Sequence, residues 1–122
     1  MNYMLQALIG SMVYCFLSSA TFGKEVKASI DLTKGQVPSS QQYIKANKND
    51  VVHLVITSDE PGDLHLHAYH LSVHVAPKIK SVLDFKAFAT GRFPFEWHSE
   101  INHPLPPKGH QKALATIDVF PE

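Results

Sequence analysis

The sequence predicts an all-β protein built as an antiparallel β-sandwich. Apolar and polar residues alternate with period two in several short runs, which is the pattern of strands that bury one face. Glycine, proline, asparagine and aspartate separate these runs, and no segment has the apolar spacing of an amphipathic helix. The 122 residues, 44% of them hydrophobic and 18% charged, suffice for one domain with a single core.

A signal peptide is predicted over residues 1–23. A mostly apolar stretch, 3–16, is followed by small residues at 18–20, the order found before a cleavage site. The stretch is shorter than the roughly 20 residues that cross a bilayer, so we expect cleavage rather than a membrane anchor. Residues 24–122 then form an exported domain, periplasmic or secreted, that does not insert into the membrane. The only cysteine, Cys15, lies in the signal peptide, so this domain has no thiol.

Seven strands are predicted in the exported domain, in chain order 26–32, 42–46, 51–57, 64–75, 79–87, 93–98 and 113–119. Sequences that favour turns separate them, among them Lys34-Gly35, Asn47-Lys48-Asn49-Asp50, Pro61-Gly62 and Thr90-Gly91. A proline-rich loop over residues 99–111 precedes the last strand. This spacing of short strands favours a sandwich over a fold with parallel strands and crossover helices.

The fourth predicted strand, 64–75, determines where two histidines lie. Its alternation directs Tyr69 and the apolar residues that follow it toward the core. His65 and His67 share the parity of Tyr69, so we expect both imidazoles on the core-facing side, where the sandwich opens at one end. His70 and His74 have the opposite parity and are expected at the surface, as is His53 on the preceding strand.

Charge and histidine content narrow the choice of partner. Eleven basic residues balance eleven acidic ones, and this absence of a net positive field argues against nucleic acid. All eight histidines lie between positions 53 and 110. Because imidazole is the commonest metal ligand among side chains, this bias indicates a metal ion as the first candidate partner.

Four segments of the chain, 48–59, 63–71, 89–98 and 114–121, resemble the cupredoxin-like family, in particular exported bacterial members without the blue-copper cysteine. The second segment is similar to the family's His-x-His-Gly-Tyr-Asp sequence, with Ala68 and His70 in place of Gly and Asp. The third resembles its Gly-x-Phe-x-x-x-x-His strand. The resemblance implies a Greek-key arrangement of the sandwich and a metal site at one end of it.

The ligands of a blue-copper centre are incomplete in this sequence. In blue-copper members the strand that starts at a position like Gly91 ends on a cysteine ligand, and spacing gives that place to Trp97. The methionines Met1, Met4 and Met12 all lie in the signal peptide. Blue copper requires two imidazoles, a thiolate and a weak axial ligand, so we expect a Cu(II) complex to be colourless or faintly blue.

Histidines remain as candidate metal ligands. His65 and His67 are two residues apart on a strand, which places them on one face about 6–7 Å apart and within reach of one ion. The resemblance implies His98 as the third ligand, and His103 in the proline-rich loop is the candidate fourth. The alternative is that they are solvated polar residues near the sandwich rim. Three nearby carboxylates are either solvated surface groups, the commoner case, or acceptors of hydrogen bonds that orient an imidazole, namely Asp63, Glu96 and Glu100.

The leading hypothesis is a periplasmic protein that binds copper, or zinc, through these histidines to buffer, carry or deliver the metal. The alternative is a metal-free module of the same fold that binds another exported protein. Enzymatic activity is not expected, because the sequence has no motif that marks a general base and no nucleophile elbow. The oligomeric state is left open.

Overall fold

The computed structural model describes residues 23–101 and 113–122. Within these ranges the chain forms eight strands: β1 (Glu25–Leu32), β2 (Tyr43–Asn47), β3 (Val51–Ser58), β4 (Gly62–Leu66), β5 (Leu71–Val75), β6 (Ser81–Lys86), β7 (Gly91–Ser99) and β8 (Ala115–Phe120). Two single-turn 3-10 segments, Ser39–Gln41 and His67–Tyr69, complete the regular structure. The described part of the chain has no helix that is long and apolar enough to cross a membrane. The predicted signal peptide lies outside the described residues, apart from Gly23.

The strands form two sheets that enclose the core. One sheet has the order β1-β3-β6 and the other the order β2-β8-β7-β4-β5. The pairs β1–β3 and β2–β8 are parallel, and the other four pairings are antiparallel. The predicted all-β sandwich is confirmed, with the difference that two of its pairings join strands that run in the same direction.

The core lies between the sheets and is made by the inward residues of each strand. Alternate residues of β3 are buried, and β4 and β8 follow the same alternation. The largest side chains with less than 2% exposure are, by volume, Phe95, Ile30, Leu54, Ile56, Leu64, Leu66, Ile117, Val52 and Val75. Burial of this apolar surface provides the main driving force for folding.

The prediction of one continuous strand over residues 64–75 is wrong, because the chain turns within this range. A 3-10 turn at His67–Tyr69 separates β4 from β5, which pair as an antiparallel hairpin. The turn changes the phase of the alternation, so Leu64 and Leu66, rather than the imidazole of His65, enter the core. The expectation that His65 and His67 lie on the core-facing side is therefore wrong. Burying leucine is more favourable than burying an imidazole, which would need a partner for each nitrogen.

An aromatic cluster holds the turn against the sandwich. The ring of Tyr69 packs edge-to-face on Phe85 and Phe93, at centroid distances of 5.5 and 5.2 Å. Its hydroxyl donates a hydrogen bond of 2.8 Å to the carbonyl of Ala89. The turn ends at His70, whose backbone is left-handed with φ of 53°. Tyr69 therefore fixes the position from which His67 projects.

Candidate metal site

Polar side chains project away from the core along three neighbouring strands, β5, β4 and β7. In the pairing of β4 with β7, His65 lies opposite Glu96 and Asp63 lies opposite His98. In the pairing of β4 with β5, Asp63 lies opposite His74. The register thus collects imidazoles and carboxylates on one outer face of the five-stranded sheet, which we call the histidine face: His65, His67, His74, His98, Asp63, Glu96 and Glu100.

Two of the imidazoles on this face approach the same carboxylate oxygen. Nε2 of His67 lies 2.9 Å from Oε2 of Glu96, and Nε2 of His98 lies 3.6 Å from the same oxygen. One ligand atom from each residue lies within 4.8 Å of the other two. In a tetrahedral site with bonds of about 2.1 Å, neighbouring ligand atoms are about 3.4 Å apart. The two nitrogen–oxygen separations lie on either side of that value, and the two imidazole nitrogens lie within 4.8 Å of each other, so rotation of these exposed side chains could bring all three atoms around one ion.

His65 borders this group without completing it. Its ring stacks on that of His67 at a centroid distance of 5.4 Å and meets that of His98 edge-on at 4.7 Å. The side chains of His67 and His98 are exposed, so rotation about their side-chain bonds would change the distances between these three rings. The His65 imidazole therefore stands where it can support the ligands or add a further nitrogen.

The alternation of β7 explains why two of the donors face outward. Phe95 is fully buried and Trp97 is half-buried, so Glu96 and His98 between and after them project from the opposite face. His67 instead follows the end of β4, and its carbonyl accepts a hydrogen bond of 2.9 Å from the backbone N–H of His70. Strand β7 thus positions Glu96 and His98, and the turn after β4 positions His67.

Trp97 anchors the inner side of β7 beneath the site. A Cβ atom placed on Gly62 would lie only 2.5 Å from the indole ring, so the ring fits against β4 because that residue is glycine. The indole N–H donates a hydrogen bond of 3.3 Å to the buried carboxyl group of Glu60. The position that the resemblance associates with a thiolate is filled by this packed ring.

The histidine face is poor in cationic side chains. Arg92 is the only lysine or arginine in β4, β5 and β7, and it forms two 2.8 Å hydrogen bonds with Asp118 on β8. This pairing raises the pKa of Arg92, and it lowers the pKa of the Asp118 carboxyl group. The Glu96 carboxylate therefore has no lysine or arginine partner on these three strands, and the groups next to it are the imidazoles of His67 and His98.

The structure brings together some of the predicted ligands. His67 and His98 share the Glu96 oxygen, and His65 packs against both rings. His103 lies outside the described residues. Glu96 was expected to be solvated or to orient an imidazole, whereas its Oε2 atom lies next to the imidazole nitrogens of both His67 and His98. The spacing Glu96-x-His98 on one strand, which puts both side chains on the same face, is the signal that could have identified it.

No family model matches the sequence, and no curated protein matches it. Among solved structures, a chain of a heme-copper terminal oxidase dimer studied by cryo-EM has a TM-score of 0.51 and 21% identity over 80% of this chain. The protein spans 65% of that oxidase chain. The periplasmic domain of subunit II of cytochrome oxidase from Bradyrhizobium japonicum has a TM-score of 0.51 and 17% identity, covering 81% of this chain and 85% of its own. The apo form of a copper binding protein, solved by NMR, has a TM-score of 0.54 and 12% identity, covering 80% and 96%. The chain has a cupredoxin-like fold.

Within this cupredoxin-like fold the described residues do not fit a blue-copper centre. Residues 23–122 contain no cysteine, and Trp97 fills the position of the missing thiolate. The donors that do converge are two imidazole nitrogens and a carboxylate oxygen on an outer face of the sheet. Such a set suits Cu(II) or Zn(II), which accept nitrogen and oxygen ligands without a thiolate.

Proposed function

We propose that the protein binds copper as Cu(II) on the histidine face, through His67, His98 and Glu96, in order to buffer, carry or deliver the metal. The observation that carries this proposal is the convergence of three ligand atoms within 4.8 Å of one another. The adjacent imidazole of His65 supplies a further nitrogen for tetragonal coordination. Zinc is the second metal that these ligands suit.

The donor chemistry favours the oxidised form of copper. Cu(II) takes nitrogen and oxygen ligands in square-planar or tetragonal geometry, whereas Cu(I) is selected by thiolate and thioether sulfur. The domain from residue 24 onward has neither cysteine nor methionine. A site of this kind holds Cu(II) and binds Cu(I) weakly.

The solved structures with the same fold support copper as the metal and export as the destination. One is described as a copper binding protein, one as a heme-copper oxidase and one as a periplasmic domain. The apolar segment at residues 3–16 followed by small residues agrees with export through a cleaved signal peptide. These likenesses concern fold, and the ligands argued for are those of this chain.

Exposure of the donors favours carriage over catalysis. The side chains of His67, Glu96 and His98 are 63%, 50% and 58% exposed. Enzymes that use a bound metal enclose it in a dry, shaped cavity, and the donors here stand on an open sheet face. An open site is suited to exchange of the metal with another chelator or protein.

Fluorescence of the only tryptophan provides a direct test. Trp97 lies between two of the proposed ligands in the sequence, and Cu(II) bound on the opposite face of the same strand is close enough that we expect it to quench the Trp97 emission in a saturable way. The double variant His67→Gln/His98→Gln should lose the saturable quenching. The matched control His53→Gln, which alters a histidine on the other sheet, should retain it. Absence of saturable quenching at micromolar Cu(II) in the unaltered protein would overturn the proposal.

A second function is supported by exposed apolar residues on the other sheet. Ile79, just before the edge strand β6, is 64% exposed, and Val82 within that strand is 58% exposed. Phe88, just after the strand, is 56% exposed. An edge strand flanked by exposed apolar side chains is a surface on which another protein can dock. If this metal-free role is the true one, His67→Gln/His98→Gln leaves recovery of an exported partner unchanged, whereas Val82→Asp lowers it.

A further inference from the structure

A groove lies between β1, at the edge of the three-stranded sheet, and β2, at the edge of the five-stranded sheet. Residues of both strands line it, and among the described residues that do so the charged ones are Lys27 and Lys45. Both lysines are exposed, and so is Tyr43, which also lines the groove. Two strand edges therefore border one surface depression.

Alternate residues of β1 direct their backbone groups to β3 and to the free edge of the sheet. The carbonyl of Lys24 accepts a hydrogen bond of 2.9 Å from the N–H of Val51, and the carbonyl of Leu32 is used in the same way at the other end of the strand. In a parallel pair both backbone groups of a residue face the same neighbour, so the even-numbered residues of β1 face β3. Lys27 and Ser29 therefore direct their N–H and C=O groups to the free edge.

The free edge of β2 follows the same rule. The carbonyl of Gln42 accepts a hydrogen bond of 2.9 Å from the N–H of Thr116 on β8, so Tyr43 and Lys45 direct their backbone groups away from β8. Within the part of the chain that the structure describes, the backbone groups of these two residues and of the two on β1 make no hydrogen bond. The groove thus has unpaired donors and acceptors on both sides.

Side chains satisfy the strand edges at the two ends of the groove. Oε1 of Gln41 accepts a hydrogen bond of 2.8 Å from the N–H of Asp31 in β1. At the opposite end, the buried carboxylate of Asp50 accepts hydrogen bonds from the N–H groups of Lys24 and Asn47, at 2.9 and 2.8 Å. The middle of the groove is left with free backbone groups, which an extended peptide segment complements.

The charge of the groove selects among extended segments. Lysines on edge strands hinder pairing with most other strands, whereas carboxylates on an incoming segment are attracted to them. In the described part of the chain, neither Lys27 nor Lys45 forms an ion pair. Asp118 lies in register with Lys45, but both of its oxygens accept hydrogen bonds from Arg92. Arg92 also has more influence than Lys45 on the lowered pKa of Asp118. Both ammonium groups are therefore available to the carboxylates of a partner.

We propose that this groove binds an extended acidic segment of another protein, which hydrogen-bonds to the free edge of β1 and places carboxylates beside Lys27 and Lys45. Addition of a strand to an open sheet edge gains affinity from main-chain hydrogen bonds and selectivity from side chains. The histidine face is built from other parts of the chain, so this inference does not depend on metal binding.

Isothermal titration with short capped peptides tests the proposal. A peptide of alternating glutamate and valine should bind in a saturable way. The same peptide with lysine in place of glutamate should not bind, and neither should a glutamate peptide that is N-methylated at alternate residues, because it cannot donate the main-chain hydrogen bonds. On addition of the glutamate peptide, amide hydrogen exchange should slow at Lys27 and Ser29.

Charge variants test the position of the contact. Lys27→Gln/Lys45→Gln should bind the glutamate peptide about two- to thirtyfold more weakly, because each exposed ion pair contributes little by itself. Lys78→Gln/Lys86→Gln is the matched control, which removes two exposed lysines outside the groove, and it should bind as the unaltered protein does. Far-ultraviolet circular dichroism checks that each variant is folded.

Four outcomes would overturn the proposal. The first is the absence of saturable binding of the glutamate peptide up to about 1 mM. Equal affinity for the glutamate and lysine peptides would contradict an acidic partner, and equal affinity for the N-methylated peptide would contradict strand addition. Equal losses in the two double lysine variants would place the contact outside the groove.

Discussion

The outer faces of the two sheets carry the same types of side chain in different arrangements. On the three-stranded sheet, His53 lies in register with Lys27 on one side and Asp84 on the other. On the five-stranded sheet, His67 and His98 approach the same oxygen of Glu96, and the strands around them contain no lysine. The first face pairs unlike charges along the row through His53, and the second brings two imidazoles to one carboxylate oxygen.

This difference shows why histidine content alone does not define a metal site. The carboxylates near His53 approach its two ring nitrogens separately, which stabilises one ring orientation and offers no common point for an ion. Convergence on one atom is what a chelating site needs. We therefore propose metal binding for one sheet and local stability for the other, and the following predictions test that division.

The largest expected effect is the pH dependence of copper binding. An imidazole must be neutral to bind metal, and below about pH 6.5 each one costs the apparent affinity tenfold per pH unit. Each imidazole goes from half neutral to about 1% neutral between pH ~6.5 and ~4.5, so with two imidazole ligands Cu(II) affinity should fall more than about 10³-fold. Titrations of Trp97 fluorescence at these pH values measure it. Affinity that persists to about pH 4 would instead indicate a site built of carboxylates.

Removal of the two imidazoles should have the next largest effect. His67→Gln/His98→Gln deletes direct ligands, and loss of groups that merely orient ligands already costs about 10–100-fold in metal affinity. We therefore expect a loss of more than about 100-fold, measured by isothermal titration with Cu(II). His53→Gln should change the affinity by less than a factor of about two. Equal losses in the two variants would remove the distinction between the sheets.

Packing beneath the histidine face is tested by Gly62→Ala. The added Cβ would lie 2.5 Å from the ring of Trp97 and 2.6 Å from the carbonyl oxygen of His98. Overpacking of this kind lowers the free energy of unfolding by about 1–3 kcal/mol. Urea unfolding measures it, with Ser72→Ala on the exposed side of β5 as the control. An unchanged midpoint in Gly62→Ala would contradict the close packing of indole on strand.

The smallest effect is expected on the three-stranded sheet at Asp31. Hydrogen bonds from the side chains of Thr57 and Gln41 hold the pKa of Asp31 below its ordinary value. A lowered pKa favours the folded state above about pH 3.9, and this advantage disappears as the pH falls through the folded-state pKa. Asp31→Asn should therefore make stability less dependent on pH over this acidic range. Because the group is exposed, the change should stay below about 1 kcal/mol.

Urea unfolding of Asp31→Asn at pH 7 and about pH 3 compares the two ends of that range. Copper affinity at pH 7 should be the same in Asp31→Asn and in the unaltered protein. A steeper loss of stability in acid than in the unaltered protein would show that Asp31 does not contribute in this way.

Local patterns were enough to predict the fold, and non-local register was needed for the site. The alternation within β3 and β7 identified those strands to within two residues. It did not identify the turn at His67–Tyr69, because the left-handed position that closes the turn is His70 rather than the glycine or asparagine that usually marks it. Because this turn was not recognised in the sequence, His65 was predicted on the core-facing side of the sheet, whereas it lies on the outer side.

The composition of the donor group depended on contacts between distant strands. His67 and His98 were expected as ligands from the His-x-His sequence and from the family resemblance. The role of Glu96 follows from the pairing of β4 with β7, and the meeting of Asp63 with His74 follows from the pairing of β4 with β5. Neither pairing can be derived from periodicity in one segment, since register is set by how whole strands pack.

The flatness of the histidine face has a kinetic consequence. His67, Glu96 and His98 stand on a sheet surface, so an ion held by them keeps open sides on which water or an incoming chelator can attach first. Exchange then proceeds by stepwise replacement of ligands, and no strand has to open for the ion to leave. For the proposed site, the lifetime of a bound ion is therefore expected to depend on the concentration and denticity of the competing ligand, and not on the rate of unfolding.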